Sequence, residues 1–212
     1  MKNKLIGIFL IVLIAGALAA CGSNDTNSEG AEGSSEEQEF PTKNLTGVIP
    51  FSPGGTTDAI SRTIANLAEE ELGQSIVIQN TPGGTGSIAT QEVYEADADG
   101  HTLLFAAENQ NLYRTTGISD LSFNDFEPIL LLGREVPVFV THADAKWETI
   151  SEVLDEVENE PKSISMMTTG PVGISGVVTS MLNKDFNLVP YDGAGEGIAG
   201  VIGKQVDVGV VG

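Results

Sequence analysis

Short apolar runs alternate with helix-period segments from Leu45 to the end of the chain. That rhythm belongs to stacked α/β layers. Leu45 to Phe51 reads as a strand running into Ser52-Pro53-Gly54-Gly55-Thr56-Thr57-Asp58. The helix after it carries Ile60, Ile64, Leu67 and Leu72 on one side, with Gly73 as its stop signal. Ser75 to Gln79 predicts a second strand, ending in Asn80-Thr81-Pro82-Gly83-Gly84-Thr85-Gly86-Ser87. A short helix, the turn Asp97-Ala98-Asp99-Gly100 and a strand over Thr102 to Ala106 come next. Ile129 to Leu132 and Val136 to Val140 are further strand candidates, and Thr149 to Glu158 a helix whose Thr149 and Glu152 have capping-box spacing.

The same unit then repeats. Ser163 to Met167 leads through a small-residue loop, Thr168 to Ser175, into a helix ending at Leu182. Leu188 to Pro190 leads through Tyr191-Asp192-Gly193-Ala194-Gly195-Glu196-Gly197 into a helix ending at Gly203, and Val206 to Val211 reads as a buried strand. Stopping at Gly212 inside an apolar run predicts a chain cut short, since termini are usually surface segments.

The first forty residues carry a different pattern. Lys2 and Lys4 precede the apolar run Leu5 to Ala20, a signal-peptide layout shorter than the ~20 apolar residues of a spanning helix. Leu18-Ala19-Ala20-Cys21-Gly22 resembles the lipobox of bacterial lipoproteins, which implies cleavage before Cys21 and a lipid on its thiol. Gly22 to Glu39 holds six acids and no base among Ser, Gly, Asn and Ala, the composition of a disordered tether. The expected organisation is therefore residues 1–20 as signal peptide, 21–40 as lipidated cysteine and tether, 41–142 as a first α/β domain and 143–212 as an incomplete second one.

Charge removes several classes of function. Thirty acids against ten Lys and Arg, a formal charge of -20, leave no clustered base for nucleic-acid phosphates. A single cysteine excludes a disulfide framework within the chain and a multi-cysteine zinc site. His101 and His142 have no ligand spacing. Neither early glycine-rich loop ends in the Lys-Ser/Thr of a Walker A motif. Gly84-x-Gly86-x-x-Ala89, with Glu108 downstream, matches a dinucleotide fingerprint, but Thr81-Pro82-Gly83 separates it from its strand. Gly173-x-Ser175-x-Val177 lacks the last glycine of a nucleophile elbow, and Glu95-x-Asp97-x-Asp99-Gly100 lacks the twelfth-position Glu of a calcium loop.

Four strand–loop–helix units remain. Loops of this kind stand at the carboxyl ends of strands, where glycine lets backbone N–H groups approach a ligand and the helix N-terminus adds partial positive charge. An acidic chain can bind an anion in this way, through amides rather than through Lys or Arg.

Several segments together resemble the substrate-binding proteins of tripartite tricarboxylate transporters, the TctC or Bug family. They are Ile49-Pro50-Phe51-Ser52-Pro53-Gly54-Gly55-Thr56-Thr57-Asp58, Leu72-Gly73-Gln74, and Asn80-x-Pro82-Gly83-Gly84-x-Gly86-Ser87-Ile88. Ala96 to Leu104 follows that family's pattern with His101 in place of a tyrosine; Val189-Pro190-Tyr191-x-Gly193 and Gly203-x-Gln205-Val206-Asp207 match its later motifs. The resemblance implies a periplasmic-binding-protein-like, two-domain α/β fold that closes on a small organic acid, with its second half incomplete here.

Carried over residue by residue, the resemblance implies ligand-binding roles for Gly54, Gly55, Thr56, Thr57 and Asp58, and for Gly83, Gly84, Thr85, Gly86 and Ser87. Thr169, Gly170, Ser175 and Tyr191 are the counterparts in the second domain. Asp58 is equally well read as a first-turn helix acid. The histidine common near Val177 and the lysine common at Asp192 are absent, leaving the far end of the ligand unassigned. The implied function is a monomeric, lipid-anchored, extracytoplasmic receptor that passes a carboxylate to transporter membrane subunits, with no catalysis, cofactor or metal. An extracellular α/β enzyme and a nonfunctional fragment are the competing readings.

Overall fold

A computed structural model describes residues 40–212 of the chain. The expected signal peptide, Cys21 and the acidic tether lie outside the described residues.

The first sheet forms from strand–loop–helix units. β1 (Leu45–Ile49) leads to α1 (Thr56–Leu72) and β2 (Ile76–Asn80). A 3-10 turn over Gly84–Gly86 opens α2 (Ser87–Glu95), and β3 (Thr102–Leu104) completes a parallel sheet of order β2-β1-β3. Gly73 ends α1 in the left-handed region (φ 65), returning its N–H to the Glu69 carbonyl.

The buried face of α1 is not the expected one. Asp58, Ser61 and Ala65 are buried, and Ala65, Ala68 and Leu72 pack with Leu45 and Ile76, whereas Leu67 is 60% exposed. Both stripes repeat at helical spacing, but small Ser and Ala side chains let the helix lie closer to the sheet.

The next stretch holds a 3-10 turn over Glu108–Asn111, the single helical turn α3 (Tyr113–Thr116) and a 3-10 turn over Phe123–Asp125. Ser122 and Asp125 form a full capping box there. The strand expected over Ile129 to Leu132 does not form. Ile129 is 78% exposed, Leu130 and Leu131 each 72%, and no neighbouring strand pairs with them among the described residues. An apolar run becomes a strand only when a partner backbone and a covering layer are in place.

β4 (Val138–Thr141), α4 (Ile150–Asn159), β5 (Ser165–Thr168), α5 (Ile174–Leu182), β6 (Asn187–Pro190), α6 (Ala194–Ile202) and β7 (Val208–Val211) build the second sheet, of order β4-β7-β5-β6. Only the β4–β7 pair is antiparallel, in the register Val138↔Val211. β4 thus hydrogen-bonds into the second sheet, although it precedes the expected domain boundary at residue 143. Its core is Val153, Val157, Ile164, Met166, Phe186, Val208 and Val210. Thr149 caps α4 by accepting the Glu152 N–H, while the Glu152 carboxylate accepts the N–H of Glu148 rather than that of Thr149. Both sheets belong to one unit, Glu39–Gly212.

Candidate ligand site between facing loops

The carboxyl-end loops of the two sheets meet in pairs. The loop after β1 lies on the loop after β6: Ser52 donates its N–H to the Asp192 carbonyl at 3.2 Å. A Cβ on Gly195 would stand 2.8 Å from the Pro53 carbonyl oxygen and 3.1 Å from the Gly55 nitrogen. Only a glycine permits that approach between two backbones. The loop after β2 lies on the loop after β5, where a Cβ on Gly170 would meet the Thr85 side chain. The loop after β1 also reaches the end of β7, because Thr56 Oγ1 donates to the Gly212 carbonyl at 2.6 Å.

In the first loop, Gly54 takes a left-handed φ of 87 and Gly55 is the N-cap of α1. The first-turn N–H groups of that helix, from Thr56 and Thr57 on, have no carbonyl of their own helix to meet, so they suit an anion. Asp58 is buried beneath the loop and faces inward. Its Oδ2 accepts the Gly54 N–H at 3.0 Å, and its Oδ1 accepts Arg62 Nε and Asn80 Nδ2, each at 3.0 Å. Burial alone would raise its pKa; the hydrogen bonds from Arg62, Gly54 and Asn80 outweigh that and lower it. Asp58 is therefore a strut of the loop, as its reading as a helix acid allows.

The second loop is more contorted. Gly83, Gly84, Thr85 and Gly86 all have positive φ, and such a run persists only where surrounding contacts hold it. The Thr85 carbonyl accepts from Asn109 Nδ2 and from the Tyr113 hydroxyl, both at 3.0 Å, and Thr90 Oγ1 donates to the Gly86 carbonyl at 2.8 Å. Burial raises the Tyr113 pKa, the nearby Glu108 charge adds to it, and a Thr90 hydrogen bond opposes both. Ser87 follows as the first residue of α2.

In the second sheet, Ser175 is fully buried and its Oγ accepts the Thr169 N–H at 2.9 Å, so it shapes the loop after β5 from within. Gly170 faces Thr85 across the interface. Tyr191 does not share that position: its hydroxyl lies over Gly200 of α6 and its ring packs with Met167 and Val201. Gly54 to Thr57, Gly83 to Ser87, Thr169 and Gly170 thus line the meeting loops, while Asp58 and Ser175 support them and Tyr191 packs aside. Asn80, Arg62, Asn109, Tyr113 and Gly195 were not legible as site residues. Their roles arise from contacts 18 to 28 positions apart in sequence, or across the two sheets. A separate open groove of about 650 Å³, lined by Ile88, Gln91, Glu92, Glu95 and Ile118, touches these loops only through Ser87.

Two α/β sheets that present their carboxyl-end loops to each other define the fold of a periplasmic binding protein. The chain belongs to the tripartite tricarboxylate transporter family of receptors, whose family model matches residues 60–212. The first glycine-rich loop lies just before that match. A protein from the tcbD-tcbE intergenic region of Pseudomonas sp. (strain P51) is 31% identical over 176 residues, 80% of this chain and 52% of its own length. BugT of Bordetella pertussis is 24% identical over 96% of this chain and 61% of its own. Among solved structures, the periplasmic binding protein BugD is similar with a TM-score of 0.68 and 28% identity, over 81% of this chain and 60% of that one. MatC from Rhodopseudomonas palustris with bound malate has a TM-score of 0.70 at 28% identity, over 80% of this chain and 60% of its own. The chain spans between half and about three fifths of the length of these relatives.

Proposed function

We propose that the chain is the ligand-recognising part of an extracytoplasmic receptor that captures a small carboxylate and presents it to transporter membrane subunits. The carboxylate sits on the first-turn N–H groups of α1 and the amides and hydroxyls of residues 83–87. Thr169 and Gly170 close over it from the second sheet. Capture proceeds by approach of two lobes, one built on each sheet, with amides replacing the ligand's water shell. The receptor acts as a monomer, without catalysis, and is tethered to the membrane through a lipid on Cys21.

The observation that carries this reading is the backbone-to-backbone meeting of the loops after β1 and β6 at Gly195 and at Gly55, the N-cap of α1. The bound malate of the MatC structure agrees in chemistry. A thermal melt of the chain against citrate, malate, succinate and adipate tests it. A carboxylate at ~100 times its dissociation constant raises stability by about 2.7 kcal/mol. A cooperative melt with no shift for any carboxylate would overturn the reading. Replacing Cys21 by Ser should release the protein from membranes, and continued retention would refute the lipid anchor.

A further inference from the structure

We propose that Gln110 and Thr90 are positioning residues for the second loop: a buried polar pair that fixes how residues 83–86 enter α2, and does so at a cost in stability. This deepens the carboxylate reading and rests on it.

Both residues are fully buried, Thr90 in the first turn of α2 and Gln110 in the 3-10 turn that follows β3. Gln110 Nε2 donates to Thr90 Oγ1 at 3.0 Å, and Thr90 Oγ1 donates to the Gly86 carbonyl at 2.8 Å. A hydroxyl has one hydrogen to give. The Gln110 amide therefore presents its nitrogen to Thr90, because its oxygen would compete with Gly86 for that hydrogen. The relay runs in one direction, from Gln110 through Thr90 to Gly86.

Gly86 is where the loop becomes a helix. It is the N-cap of α2, with a left-handed φ of 87. It follows Thr85, whose side chain meets Gly170 of the opposite sheet. A tie on the Gly86 carbonyl orients the peptide plane that joins the loop to α2, and with it the approach of Thr85 to the second sheet.

The neighbouring side chain does the same for the preceding carbonyl. Asn109 is 1% exposed, and its Nδ2 donates directly to the Thr85 carbonyl at 3.0 Å. Two consecutive amides of one turn thus hold two consecutive carbonyls of the loop, Asn109 that of Thr85 and Gln110, through Thr90, that of Gly86.

Stability alone does not account for this arrangement. Gln110 Oε1 and Asn109 Oδ1 are both buried and meet no donor among the described residues. A buried acceptor without a donor costs its desolvation, whereas apolar side chains of the same shape at 90 and 110 would leave neither of those two residues with an unmet group. Gly86 would not be stranded by that exchange, since the carbonyl of an N-cap residue already accepts the first N–H of its helix. What the polar pair contributes is the place of the loop.

Thr90→Val combined with Gln110→Met keeps the shape and removes the relay. The melting temperature of this double variant should lie within about 3 °C of wild type or above it. Titration calorimetry with malate, succinate, adipate and citrate should show the tightest-bound of the four weakened about tenfold or more. Hydrogen exchange at residues 83–88, measured without ligand, should quicken in the double variant while the second sheet stays as in wild type. Thr90→Ser keeps the hydroxyl and should hold the affinity within about threefold of wild type. Val157→Ala thins the core of the second sheet and should lower the melting temperature with the affinity unchanged. Unaltered affinity or unaltered exchange at 83–88 in the double variant would overturn the positioning inference and leave the carboxylate reading standing. So would a double variant that melts well below wild type, or a loss of affinity that Val157→Ala matches. A wild-type chain that melts cooperatively and binds none of the four overturns both.

Discussion

Asp58 reaches back across the loop in front of its own helix, accepting the Gly54 N–H on Oδ2 at 3.0 Å. The same carboxylate ties that loop to α1 through Arg62 and to β2 through Asn80. One buried acid thus sets the curvature of a loop whose own residues are mostly too small to hold it.

Replacing Asp58 by Asn should cost about 2 kcal/mol near neutral pH, the loss expected for charge-assisted bonds to a buried acceptor. The native pKa of Asp58 is lowered. Its stabilisation is therefore present above the unfolded value of ~3.9 and lost as the pH falls through the lowered native value. Melting temperatures of the wild type and Asp58→Asn should differ at pH 7 and converge below about pH 4. A difference that persists unchanged into acid would show that the charge is not what Asp58 contributes.

Gly195→Ala drives a methyl group into the Pro53–Gly55 backbone. A cost of about 1–3 kcal/mol is expected for overpacking against atoms that cannot rotate away, together with weakened carboxylate binding. Gly133→Ala is the control, because nothing lies within 4 Å of its added Cβ, and it should stay within about 0.5 kcal/mol of wild type. Denaturant midpoints and titration calorimetry on both variants check the contrast.

Gly54 makes a different demand. Its added Cβ would meet nothing within 4 Å, but its φ is 87, so substitution acts through backbone strain rather than collision. Gly54→Ala should destabilise by about 1–2 kcal/mol and lower ligand affinity as the loop amides turn. Gly54→Asn should recover part of both, because Asn tolerates left-handed backbone better than Ala. Equal loss in the two variants would place the effect elsewhere.

Tyr113→Phe removes one of the two donors on the Thr85 carbonyl and leaves Asn109 in place. It should cost about 1 kcal/mol. The double change with Asn109→Ala should cost more than the two single changes added together, since the second removal strands a buried acceptor. A double-mutant cycle on unfolding free energy measures the coupling, and additive losses would show that the two donors act separately.

Local chemistry made much of this protein legible from its sequence. Gly73 as a left-handed stop, Thr149 as a cap, and the alternation of strands with glycine-rich loops and helices all depend on torsions and hydrogen bonds within a few residues. The glycine-rich loops themselves were equally readable, because Gly54-Gly55 and Gly83-Gly84 announce where a main chain must bend and be approached.

What the tertiary structure decided is which atoms face each other. Ile129 to Leu132 has the composition of a strand, yet it stays exposed where no partner strand covers it. Ile60 and Leu67 gave way to Ser61 and Ala65 as the buried face of α1, because closeness to the sheet outweighed the apolar area of any one side chain. Tyr191 turned to Gly200, Asp58 to Gly54, and the Glu135 side chain to Gly212 at the end of β7. Periodicity fixes a residue's position within its own element. The facing of two loops is set only when strands far apart in sequence have found their order, and that order depends on every element at once.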